Sequence, residues 1–202
     1  SSNSLAAGGS APTQAITGSV SEALRLGCSA TGFTIYPGSD AAFDMMGTFQ
    51  DMAAEAKALG LAVVLWSYPR GGRLSKQGET ALDIAAYAAH MAALLGAHII
   101  KVKPPADALE QPEATSVYQA TNLPRSTLAE RVNHIMQASF AGRRIVVFSG
   151  GAAKDRDGLL DEVRALRDGG ANGSIIGRNT FQRPRDEALD LLGDIIDIYR
   201  GK

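Results

Sequence analysis

Two lysines at alternate positions of an otherwise apolar run, His98-Ile-Ile-Lys101-Val-Lys103, carry the most chemistry in this sequence. Successive side chains of a β-strand point to opposite faces, so Lys101 and Lys103 share one face. Burial and a neighbouring cation both disfavour an ammonium, and the neutral amine that results can attack a carbonyl to form a Schiff base. The same spacing also fits a strand end whose lysines reach solvent or hold a substrate phosphate. Trp66 and Tyr68, within Trp66-Ser-Tyr-Pro-Arg-Gly-Gly72, share a face by the same alternation. A phenol can move a proton and an indole can wall a sugar pocket, or the two rings can simply pack beneath a helix. Two turns, Ser149-Gly150-Gly151 and Gly177-Arg178-Asn179, complete the set. Glycines there let backbone N–H groups approach phosphate oxygens, and Arg178 adds charge-assisted bonds.

Metal chemistry finds little support. His90, His98 and His134 form neither a His-x-His nor a His-Glu-x-x-His spacing, and one cysteine adds nothing, so no metal site is expected. The histidines read as surface or packing residues, and Cys28 as a small buried hydrophobe. The nucleotide-binding strings Gly-x-Gly-x-x-Gly and Gly-x-x-x-x-Gly-Lys-Ser/Thr are also missing, and no cofactor is expected.

The elements that must position these residues alternate regularly. Ser19-Val-Ser-Glu22 has capping-box spacing and opens a short helix to Leu26. Ala30–Tyr36 reads as a strand stopped by Pro37-Gly38, and Ser39 or Asp40 caps a helix with Met45, Phe49, Met52, Ala56 and Leu59 on its apolar stripe. Ala62–Trp66 is the second strand, Glu79–Leu95 an Ala-rich helix, and His98–Lys103 the third strand, stopped by Pro104-Pro105. A polar stretch of some 20 residues follows, then a helix from Ser126 or Thr127 to about Phe140. Arg144–Phe148 is the fourth strand, Arg156–Arg167 a helix, Gly173–Ile176 the fifth strand and Glu187–Tyr199 the last helix. Five strands each followed by a helix require a parallel sheet with crossover helices. The two glycine turns end the last two strands, where (β/α) barrels bind phosphate between their seventh and eighth loops. An α/β fold of the (β/α)₈ TIM barrel type is therefore expected, the chain carrying about the last five units, strands 4–8.

Composition excludes several classes. Twenty Lys and Arg against 21 Asp and Glu leave a net charge of −1, so a nucleic-acid surface built on bulk positive charge is ruled out. No apolar run reaches the roughly 18 residues of a membrane span. A single cysteine forms no internal disulfide, which points to a reducing compartment or at least to a fold that does not depend on bridges.

The strings Gly32-Phe-Thr-Ile-Tyr-Pro-Gly-Ser39, Trp66-Ser-Tyr-Pro-Arg-Gly-Gly72, Lys101-Val-Lys103, Ser149-Gly-Gly151 and Gly177-Arg-Asn179, in this order, resemble the archaeal-type class I fructose-bisphosphate aldolases of the DhnA-like family, proteobacterial members in detail. The resemblance implies a Schiff-base lysine at Lys101, with Lys103 the alternative, a tyrosine acid/base at Tyr68 and an active-site tryptophan at Trp66. It implies substrate phosphate contacts at Ser149, Gly150, Gly151, Gly177 and Arg178. The implied reaction is reversible cleavage of fructose 1,6-bisphosphate to dihydroxyacetone phosphate and glyceraldehyde 3-phosphate, without metal, by a cytoplasmic homo-oligomer. Members of that family carry an Asp-His segment on a first strand and further strands before the point matched by Ser1. Residues 1–18 are accordingly expected to be the loop after a missing strand, and residues 19–202 the C-terminal part of the barrel. A barrel typically needs about 250 residues. Two other expectations stay open: a related Schiff-base aldolase for another phosphorylated ketose, and a catalytically incomplete fragment that only binds phosphate.

Overall fold

The computed structural model describes residues 11–150 and 154–201. Five parallel strands, β1 (Ala30–Ile35), β2 (Ala62–Ser67), β3 (Ile99–Val102), β4 (Ile145–Ser149) and β5 (Gly173–Ile175), lie side by side in chain order. Doubly wound nucleotide-binding sheets reverse strand order at a switch point, whereas a barrel adds each strand beside the last. The sheet β1-β2-β3-β4-β5 is thus an arc of a (β/α) barrel, with β1 and β5 as its edges among the described residues.

The pleat divides the sheet into two unlike faces. Phe33, Ile35, Val63, Leu65, Ile100, Val102, Val146 and Phe148 alternate along the strands and are buried. They form one core with α2 (Ala42–Ala58), α3 (Leu82–Leu94) and α5 (Leu128–Ala138). The intervening residues face the hollow of the arc, and Trp66 and Lys101 among them are half-buried. A second, smaller core joins α6 (Arg156–Asp168) to α8 (Arg185–Tyr199) through Leu159, Leu160, Val163, Leu191, Ile195 and Ile198.

Register is pinned at strand starts by polar side chains. The Val63 N–H donates to His98 Nδ1 at 3.0 Å, and the Val146 N–H donates to Asn172 Oδ1 at 2.8 Å. Each completes a ladder site just ahead of a strand, where an unpaired N–H would otherwise be left. His98 is therefore a structural residue, as expected. His134 Nε2 and the Tyr118 hydroxyl bond at 2.6 Å, and His90 Nδ1 lies 2.8 Å from the Ala138 carbonyl oxygen.

Local signals held at several ends. Ser19 accepts from the Glu22 N–H ahead of α1 (Val20–Arg25), and Thr127 with Glu130 forms a full capping box on α5. Four expectations need correction. The polar stretch after β3 contains α4 (Pro112–Ala120), a helix with no buried residue, so it has no apolar stripe to betray it. The helix expected from Glu79 starts at Leu82, because Ala81 pairs with Ala106 in an isolated parallel bridge and Gly78–Thr80 forms a separate 3₁₀ turn. The N-cap of α2 is Ala41 rather than Ser39 or Asp40; the Ser39 hydroxyl donates to the Pro12 carbonyl at 2.6 Å. Cys28 is exposed, since it lies in the turn that closes α1, where its N–H donates to the Ala23 carbonyl.

Candidate active site

The strand register sets one row across the open face. Thr34 pairs with Trp66, Trp66 with Lys101, Lys101 with Val147 and Val147 with Gly173. Adjacent strands lie about 4.8 Å apart, so Trp66 and Lys101 are immediate neighbours on the same face. Lys101 Nζ sits 5.9 Å from the Trp66 ring centroid, within cation–π range. Burial lowers the Lys101 pKa below the ordinary 10.5. Among the described residues no carboxylate lies within ion-pair distance of its Nζ, so no counter-ion offsets that cost.

Lys103 differs. Its Nζ donates to Glu79 Oε2 at 3.1 Å, and the same carboxylate takes Lys76 at 3.0 Å. Glu79 is held below the usual glutamate range by those two lysines, which outweigh its own desolvation. The geometry thus separates the two amines that the spacing alone left equivalent: one is desolvated and without a counter-ion, the other is tied to a carboxylate.

Past the ends of the strands, Tyr68, Lys101, Lys103, Ser149, Gly150, Gly177 and Arg178 line one cavity of about 820 Å³. That volume lies within the roughly 300–1,000 Å³ of small-molecule sites. Tyr68 continues the β2 ladder by donating its N–H to the Ile35 carbonyl at 3.1 Å. Burial pushes its phenol up to about 12, while a side-chain hydrogen bond with Ser149 and the charge of Arg70 work against the rise. Tyr68 is therefore a neutral phenol over the whole physiological range. Trp66 does not line the cavity wall; it backs Lys101 from the side.

Of the two glycine turns, Gly151 lies outside the described residues, and Ser149, Gly150, Gly177 and Arg178 come together. What joins them is Asn179, a buried residue of the short helix α7 (Arg178–Phe181). Its Nδ2 donates to the Gly150 carbonyl at 2.8 Å and its Oδ1 accepts the Lys154 N–H at 2.9 Å. Asn179 was only part of a string in the sequence; its role as the staple between the β4 and β5 loops depends on a 29-residue separation that no local pattern encodes.

Gly32, like Asn179, entered the sequence reading only as part of a string. A Cβ built on it would land on the Cζ3 edge of Trp66, so the absence of a side chain is what lets the indole lie across β1. A glycine inside a strand is a usable sign of such close approach. Gly32→Ala is expected to cost about 1–3 kcal/mol of stability by overpacking. The displaced indole would also lower turnover, and thermal melts alongside steady-state rates check both.

The match to known proteins is consistent across comparisons. The model of the DeoC/LacD family of aldolases matches residues 6–183. The class 1 fructose-bisphosphate aldolase of Halobacterium salinarum is 36% identical over 179 residues, covering 88% of this chain and 58% of the relative. That of Thermoproteus tenax is 35% identical over 193 residues, covering 95% of this chain and 63% of the relative. A solved archaeal fructose-1,6-bisphosphate aldolase, with its catalytic lysine covalently bound to the carbinolamine intermediate of the substrate, superposes with a TM-score of 0.77. It is 31% identical, over 94% of this chain and 65% of that one. The chain thus spans about three-fifths of the length of the curated relatives it matches.

Proposed function

Because this chain belongs to the DeoC/LacD family of aldolases, we propose that its protein is a Schiff-base aldolase acting on fructose 1,6-bisphosphate, with Lys101 as the nucleophile. The observation that carries the reading is Lys101 itself, desolvated and without a carboxylate partner among the described residues, in the cavity that also holds Tyr68, Ser149, Gly150, Gly177 and Arg178. The neutral Lys101 amine attacks the C2 ketone; the carbinolamine hydroxyl takes up a proton from solvent and leaves as water, which gives a protonated imine. That imine accepts the electron pair of the breaking C3–C4 bond, while the C4 hydroxyl gives up its proton and leaves as the aldehyde. In the condensing direction the Tyr68 phenol, the form present at neutral pH, donates its proton to the C4 oxygen; cleavage runs the same transfer backwards, the C4 hydroxyl passing its proton to the minor phenolate form of Tyr68.

Ser149, Gly150, Gly177 and Arg178 are assigned to a substrate phosphate, with Gly151 as their chain neighbour. Arg178 is exposed and makes no ion pair among the described residues, so its guanidinium is available for a bidentate contact. The Ser149 hydroxyl is engaged with Tyr68, and a phosphate there would share it. Trp66 walls the nucleophile. The reading carries with it a cytoplasmic homo-oligomer.

Borohydride reduction in the presence of dihydroxyacetone phosphate, followed by peptide mass mapping, tests the assignment. An adduct on the peptide carrying Lys101 is expected, and one located elsewhere sinks it. A panel of phosphorylated ketoses separates fructose 1,6-bisphosphate from other substrates of the same chemistry.

The direction of the Lys101 shift fixes a pH dependence. Imine formation needs the free amine, and burial lowers the pH at which it appears. The rate of trapping is expected to rise with pH and level off below 10.5, the ordinary lysine value. A profile that climbs past 10.5 with no plateau would show a solvent-like lysine instead.

A further inference from the structure

We propose that Glu79 is a positioning residue that selects between two chemically competent amines, holding Lys103 out of the reaction so that the Schiff base forms on Lys101 alone. The inference rests on the functional reading above and deepens it. Both lysines stand on the same face of the β3 strand line and line the same cavity, so a carbonyl bound there is within the compass of either. An ammonium donating to a carboxylate has no lone pair to offer, and Lys103 is so engaged at 3.1 Å. Without Glu79, the cavity would hold two half-buried lysines two residues apart.

The pair is built rather than incidental. An exposed lysine–glutamate contact is worth little and forms and breaks readily, but the Glu79 side chain is only 12% exposed and its backbone is fixed from both directions. The Thr80 carbonyl accepts the Ala106 N–H at 2.8 Å, and the Leu82 N–H donates to the Ala108 carbonyl at 2.8 Å. On the other side, Glu110 accepts both the N–H and the hydroxyl of Ser75, at 2.8 and 2.9 Å, and Ser75 in turn accepts the Gly78 N–H at 2.8 Å. Gly78 has no Cβ because the Glu110 carboxylate occupies that space. Glu110 itself is seated by buried Asp83, whose two carboxylate oxygens accept the Glu110 and Gln111 N–H groups at 3.0 and 2.9 Å. The segment that leaves β3 just after Lys103 therefore returns to clamp the turn bearing Glu79. One stretch of chain supplies both the second amine and the device that occupies it.

The test is where the adduct forms. Borohydride trapping with dihydroxyacetone phosphate is run on the purified protein and on Glu79→Gln, Lys101→Met and Lys101→Met/Glu79→Gln, with peptide mapping of each. The unsubstituted protein is expected to label Lys101 only and Lys101→Met nothing. Glu79→Gln is expected to label Lys103 as well, with a gain of roughly tenfold or more, the factor that loss of one hydrogen bond to a charged group carries. The double variant is expected to label Lys103 alone. Glu79→Asp, which keeps the charge, should return the label to Lys101, a rescue that a merely structural role would not produce. Glu79→Ala gives the same readout should the glutamine variant not fold. If the folded Glu79 variants label Lys101 exclusively and the double variant stays blank, the selection role is overturned. If the unsubstituted protein fails to label Lys101, the functional reading falls instead.

Discussion

Lys101→Met is expected to abolish imine trapping and to lower cleavage by about 10⁴- to 10⁶-fold, the scale on which removal of a covalent nucleophile acts when the residues of a site work as a unit. The same substitution should raise the melting temperature. Lys101 is a half-buried cation with no carboxylate partner among the described residues, and its depressed pKa is the mark of a charged form that the fold disfavours. The sign follows from linkage. A lysine whose folded pKa lies below 10.5 binds more protons in the unfolded chain over the interval between the two values. Its penalty is complete below the folded value, shrinks as pH rises through the interval, and is gone above 10.5. Met keeps the length and apolar stem without the charge, so the variant should be more stable at neutral pH and lose the alkaline slope. Melting curves at neutral pH and at pH 10 check this. A variant that is both inactive and less stable would mean that the Trp66 contact at 5.9 Å holds the strand more than desolvation strains it.

That coupling of strain to function also explains what the sequence made legible. The strands could be read because their apolar residues are short β-branched runs ended by Pro37, Pro69 and Pro104, and the buried face repeats with period two from Val63 to Leu65 and from Ile100 to Val102. The alternation also put Lys101 and Lys103 on one face and Trp66 beside Tyr68, and the structure brings Tyr68, Lys101 and Lys103 to one cavity. What it could not do was rank the lysines. The ion pair that distinguishes them joins residues 24 positions apart, through a turn expected to be the first residues of a helix. Asn179 and α4 were hidden for related reasons. The buried amide of Asn179 acts across two loops, and α4 has no fully buried residue, only the half-buried Tyr118 against the core, so neither leaves a clear periodic trace. Pro112 at the first turn of α4 was the available signal, since proline favours that position, but it sat in a polar stretch with nothing else helical about it.

Tyr68→Phe is the substitution that separates nucleophile from acid/base. It removes one oxygen and leaves the ring, so the cavity wall and the β2 ladder bond from the Tyr68 N–H to the Ile35 carbonyl should persist. Imine formation on Lys101 precedes the step in which the proton at the C4 oxygen moves, so borohydride trapping with dihydroxyacetone phosphate should survive. Cleavage and condensation should both fall by about 10²- to 10⁴-fold, the usual contribution of a positioned general acid or base. The loss should appear in kcat with little change in KM, because the hydroxyl is needed at the breaking bond rather than for holding the phosphates. The Ser149 hydroxyl loses its Tyr68 partner in the variant and is left to the substrate phosphate alone, which bears on KM in the direction of tighter binding. Fully retained kcat would remove Tyr68 from the chemistry and leave its phenol, held near 12 by burial, as a packing residue. Lost trapping would place it earlier, at carbinolamine dehydration, where a neutral phenol beside the nucleophile is equally able to donate to the departing hydroxide.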